Sequence, residues 1–97
     1  MLDKQAYISG QRDQINKWRE MIDELRPAAD REEEEKRAEI NRRIADLHFK
    51  LKFIERRLLE LKLSSALPVA KVEGKIDAAW DELSKDFSIA RTAANGG

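Results

Sequence analysis

Between Ile40 and Leu61 the apolar residues recur at alternating steps of four and three without a miss: Ile40, Ile44, Leu47, Leu51, Ile54, Leu58 and Leu61. Because an α-helix turns once in about 3.6 residues, this spacing gathers all of them into one stripe along a long helix. No helix buries such a stripe alone, so the pattern demands neighbouring helices packed along it. Inside it lies "LHFKLKF" (47–53), whose strict alternation of apolar and polar residues is the period of a strand. There is no second strand-like segment to pair with it, and a lone strand would leave its backbone groups unsatisfied. The stretch therefore reads as helix. In that helix Leu47 and Leu51 join the seam, while Phe49, Phe53 and Leu63 fall roughly opposite. A helix apolar on two opposing sides is expected to be sandwiched between neighbours. The plainer alternative is a pair of partly exposed phenylalanines.

Two further segments carry helical spacing. Residues 3–26 hold Ile8, Ile15, Trp18, Ile22 and Leu25, with Gln11 at the missing step. Residues 66–93 hold Val69, Val72, Ile76, Trp80, Leu83, Phe87 and Ala90, with Gly74 a weak spot among them. Pro27 interrupts the first pattern. Beyond it Asp30, with Glu33 three residues on, reads as the N-cap of a second helix over 30–63, and the acids at 32–35 suit its positive end. Pairs of opposite charge four residues apart support these helices: Asp13–Lys17, Glu32–Lys36, Glu33–Arg37, Glu39–Arg43 and Asp46–Lys50. "LKLSSALP" (61–68) is the clearest break, with Ser64 or Ser65 as cap and Pro68 in the first turn of the third helix. The tail at 94–97, ending in "NGG", is expected to fray. Both tryptophans sit on seams, and their indole N–H groups call for partners near helix ends or the bundle rim.

Register bears on assembly. Folding at 64–67 sets Leu61 near Val69, Ile54 near Ile76 and Leu47 near Leu83, a well-matched hairpin. A tight turn at 27–30, in contrast, would set Trp18, Ile22 and Leu25 against "EEEEKRAE" (32–39), which offers no large apolar residue. Each large side chain so misplaced would forgo about 1.5–3 kcal/mol. One remedy is a longer excursion over 27–38, after which the first helix returns to its own hairpin as a monomeric three-helix bundle. The other is a helix continuing through a kink at Pro27, two chains pairing antiparallel about a two-fold near residue 32. That register sets Leu25 near Ile40 of the other chain, Trp18 near Leu47 and Ile8 near Leu58. Burial offsets the roughly 3 kcal/mol cost of a helical proline, so the sequence tips toward the dimer.

Composition narrows the chemistry. Of 97 residues, 39% are charged, with 19 basic against 19 acidic, so no overall field draws the chain to nucleic acid or to an anionic membrane. There is no cysteine, which excludes disulfides, thiolate chemistry and cysteine-ligated zinc. "MLDKQAYISGQRDQ" lacks the apolar run of a secretory signal, and no apolar segment is long enough to span a membrane, so a cytoplasmic location is expected. His48 is the only histidine, and Ala45 stands where a Glu-x-x-His metal motif needs its glutamate. The acids at 32–35 point in successive directions around a helix and read as a solvated start. Neither a phosphate loop nor a nucleophile elbow occurs. No catalytic residue, cofactor or metal is expected.

The second helix also carries a basic flank. Arg43, Lys50 and Arg57 recur every seven residues, and Phe49 lies between Arg42 and Arg56. This pattern admits a peripheral binder of anionic lipid or nucleic acid. It equally admits internal pairing with Asp77, Asp81, Glu82 and Asp86 of the third helix, the reading a neutral chain favours.

"WREMIDELRPAA" (18–29), "EINRRIADLHFKLKFIERRLLELKLSS" (39–65) and "GKIDAAWDELSKDF" (74–87) resemble a family of small bacterial coiled-coil proteins of unassigned activity. Its pattern is a Trp-x-x-x-Ile-Asp-x-Leu helix, a long charged Ile/Leu helix, a Ser-containing break and a final helix with Ala-Trp-x-x-Leu. The resemblance implies a cytoplasmic helical protein, sometimes discussed as stress-related, and no catalytic residues. Pro27 departs from it where the family has a helix former.

The expectation is therefore a single all-α domain, an antiparallel helical coiled coil or three-helix bundle completed by dimerisation. It would serve as a non-enzymatic oligomerisation or protein-interaction module. The expected partner is a second copy, or another helical protein, meeting Ile8, Ile15, Trp18, Ile22, Leu25, Phe49 and Phe53.

Overall fold

A computed structural model describes residues 3–64 and 68–94. Among the described residues four helices follow one another: α1 (Lys4–Asp23), α2 (Leu25–Asp30), α3 (Glu34–Leu63) and α4 (Val69–Ala94). No strand occurs among them, and 47–53 is helical throughout. The three long helices lie side by side in a rod 50 × 19 × 18 Å. A single core runs its length, and the whole seam from Ile40 to Leu61 is buried in it.

The junction between α1 and α2 has a local cause. Pro27 offers no N–H, and its ring crowds the carbonyl four residues back, that of Asp23. Asp23 is the last residue of α1. The chain bends at Glu24 with near-helical backbone (φ −66°, ψ −15°) and resumes as α2. The interruption thus falls at Glu24, three residues before Pro27, which lies within α2. The chain does not then run on straight. It reverses over Arg31–Glu33, where the amide of Glu32 donates to the carbonyl of Ala29 at 3.0 Å. Glu33, not Asp30, precedes the first turn of α3, and Asp30 instead closes α2. Ion pairs four residues apart form at Glu32–Lys36 (3.7 Å), Glu39–Arg43 (3.2 Å) and Asp46–Lys50 (3.6 Å).

Placing the reversal at Arg31–Glu33 resolves the register conflict within one chain. A turn at 27–30 would have set the apolar part of α1 against the acids. The kinked α1–α2 run reaches further, and α2 covers the end of the bundle with Leu25 and Ala29 buried. Running back antiparallel to α3, α1 sets Asp23 beside His48 (3.1 Å), Arg19 beside Glu55, and Lys4 beside the carbonyl of Ser64. Ile8, Ile15, Ile22 and Leu25 are buried in the chain's own core. Within one chain α1 thus finds the partner that a crossed dimer was expected to supply.

On its other side α3 pairs with α4 through Lys50, which reaches Glu82 (3.1 Å) and Asp86. That agrees within a turn with a hairpin setting Leu47 level with Leu83. The last helix begins at Val69 and runs through Ala94, which is buried. The proposed Ser65 cap, the start of the helix at 66–67 and the "NGG" tail lie outside the described residues. Gln11, the polar step in the α1 seam, accepts a hydrogen bond from Trp80 Nε1 at 2.6 Å. Its polarity answers the indole. Trp18 stacks on Trp80 at 6.2 Å and meets Phe87 edge-on at 5.2 Å, closing α1 against α4.

Gly74 stands exposed within α4, and a Cβ there would meet nothing within 4 Å. Gly74→Ala is expected to raise stability by about 0.5–1 kcal/mol. A higher urea midpoint at unchanged slope would show it.

Candidate interaction surface

The outer side of α3 follows from the same helical arithmetic that buries its inner side. The seven seam residues are at most 2% exposed. Half a turn away Phe49 is 72% exposed, Phe53 42% and Leu63 75%, and Leu59, at the edge beside α1, is 50% exposed. The sandwich expected from a helix apolar on both sides is thus only half made: α1 and α4 close on the seam, and none of the described residues covers the back. Phe49 and Phe53, four residues apart, make an exposed apolar patch on this side, and such a patch on a small protein marks a surface that binds. Phe49 and Phe53 also rim a shallow groove of about 260 Å³ between α3 and α4, with Asp46, Lys50, Ala79 and Glu82 completing its walls.

The electrostatics separate two sets among the cations in the middle of α3. Those of the basic flank are engaged by carboxylates of the same chain. Lys50 sits among Asp46, Glu82 and Asp86. Arg43 pairs with Glu39 (3.2 Å), although its buried Nε finds no acceptor. Arg57 pairs with Glu60 (3.1 Å) and lays its guanidinium 5.0 Å from the centre of the Phe53 ring. The second set is Arg42, Lys52 and Arg56, all exposed and without an ion pair among the described residues. They stand around Phe49 and Phe53 on the outer face, and Lys52 and Arg56 share a shallow dip with both rings.

Of the residues expected at an interface, the structure leaves Phe49 and Phe53 outside and takes Ile8, Ile15, Ile22 and Leu25 into the core, with Trp18 half-buried against it. The sequence reading passed over Leu59, because it lies at the edge of the outer face beside α1, near Arg12 and Ile15. Placing α1 was needed to see it. His48 ties α3 to the end of α1 through Asp23. Tyr7 is buried with its hydroxyl unpaired, and burial, with the nearby carboxylates of Asp77 and Glu73 adding to it, raises its pKa above the usual phenol value. Among the described residues no cluster of three or more His, Cys, Asp or Glu is disposed to hold a metal ion, and no helix is long and apolar enough to cross a membrane.

No family model matches the chain, nor does any curated protein or solved structure.

Proposed function

We propose that this protein is a non-enzymatic helical interaction module of the cytoplasm that docks other protein through the outer face of α3. One observation carries the reading. Phe49 and Phe53 are exposed side by side on the back of a helix whose front is wholly buried, and Leu63 is exposed nearer its C-terminal end. A partner that buried Phe49 would gain up to about 1.5–3 kcal/mol, and less than half of that at Phe53, which is 42% exposed. The free cations Arg42, Lys52 and Arg56 beside them add a charge preference. Binding of anionic lipid or nucleic acid through Arg43, Lys50 and Arg57 is the weaker reading, because those three already face carboxylates of their own chain.

A photo-crosslinking amino acid in place of Lys52, between the two rings, tests the proposal in cells. Irradiation is expected to give discrete protein adducts, and the same amino acid in place of Lys85, an exposed site on α4, is expected to give none. No adduct from position 52, or the same adducts from both positions, would sink the reading.

A further inference from the structure

The occupant of this face is open to argument from charge. Along the outer side of α3 Glu34 and Glu35 open the helix, Arg42 follows about two turns on, Lys52 and Arg56 come about four to six turns after the acids, and Glu60 lies beyond them. Between the acids and Lys52 the same side carries two small exposed residues, Ala38 and Ala45. On reversal the acids at its start meet the cations Lys52 and Arg56, so the face suits an antiparallel copy of itself. It suits a uniformly charged surface less well.

Resting on the docking role just proposed, we infer that the partner is a second copy of this chain, α3 packing antiparallel on α3 about a two-fold axis near Ala45 and Asp46. Positions that meet across such an axis have numbers adding to about 91, a register chosen by what it brings together. Phe53 falls on Ala38 of the second copy, a large side chain over a small one. Phe49 falls on Arg42, placing a cation against a ring face. Arg56 falls on Glu35, with Glu34 beside it. The register that would instead stack Phe53 on Phe53 sets Lys52 beside its own counterpart and Arg56 level with Lys50 of the second copy, and like charges there oppose it. The overlap from Glu35 to Arg56 is about 33 Å long at 1.5 Å per residue. Only α3, a cylinder about 10 Å across with its side chains, lies on this strip, so the contact stays below the roughly 1,200 Å² in total of a stable specific interface. The association is therefore reversible, and dilution dissociates it.

Charge reversal tests occupant and register together. Both Glu35 and Arg56 are exposed, and neither makes an ion pair among the described residues, so Glu35→Lys and Arg56→Glu leave the fold in place. Circular dichroism verifies this. Sedimentation velocity would follow each protein from about 1 to about 500 µM, the range in which interfaces of this size dissociate. Each variant alone sets like charges together twice per dimer and is expected to self-associate about tenfold more weakly than the parent. In an equal mixture the lysine introduced at position 35 of one variant meets the glutamate introduced at position 56 of the other. The remaining pair is the native Glu35 with the native Arg56, so the mixture is expected to recover the parental affinity. A parent monomeric throughout the range overturns the inference. If crosslinks from position 52 then lead to a different protein, the docking role itself survives. A parent dimer indifferent to either reversal also overturns it, since the copies would then meet elsewhere or in another register.

Discussion

Ile22→Asp is expected to unfold the isolated chain. Ile22 is fully buried at the closure of α1 on α3. Deleting a buried isoleucine side chain to alanine typically costs about 2–5 kcal/mol, and a carboxylate without a partner adds its own desolvation. A domain of this size holds roughly 5–10 kcal/mol in all, so the loss takes most of it. Far-UV circular dichroism at low concentration checks this. The substitution also separates two architectures. If α1 met only a second chain, the Ile22→Asp variant would keep a folded α3–α4 hairpin and lose only its dimer. If α1 closes the single chain, cooperative folding goes.

Trp18→Ala should lower stability by about 3 kcal/mol, toward the lower end for a large aromatic because the ring is only half-buried. The ring is the hub of a cluster, 6.2 Å from Trp80 and 5.2 Å from Phe87. Aromatic pairs contribute about 0.5–1.5 kcal/mol beyond the area they bury. Removing Trp18 forfeits both pairs and frees the indole of Trp80 to solvent on that side. A double-mutant cycle with Phe87→Leu measures the share due to the edge-on contact. Were Trp18→Ala to cost under about 1 kcal/mol, α1 would not be docked on α4 as described.

How much of this was legible in the residues varied with the kind of signal. The α3 seam needed only counting, because a perfect repeat buries the same side whatever packs on it. The helicity of "LHFKLKF" followed from its place inside that repeat. Pro27 was visible as a kink, and its ring locates the bend at Asp23 and Glu24. What it could not show was where the chain turns back. Residues 28–33 contain neither glycine nor a second proline, so the reversal at Arg31–Glu33 leaves no local mark. It is set by burying Leu25 and Ala29 over the end of the bundle, a tertiary choice. From that one displaced turn follows the transfer of Ile8, Ile15, Ile22 and Leu25 from an expected interface into the core. Gln11 is the converse case. As a gap in the seam it looked like a defect until Trp80, distant in sequence, appeared as its donor. The exposed phenylalanines were legible as a second stripe, but their exposure was decided by helices that chose the other side.

The fold turns on α1 closing against α3 of the same chain. Since the chain has no cysteine, a pair introduced as Asp23→Cys and His48→Cys is unique, and the native side chains there meet at 3.1 Å. A short bismaleimide added to this variant at low micromolar concentration should link the two positions within one chain. Mass spectrometry of the denatured product should then show a single chain carrying one linker. If the product is chiefly a covalent pair of chains joined from 23 to 48, then α1 belongs to its neighbour's bundle, and the cis closure described above is wrong.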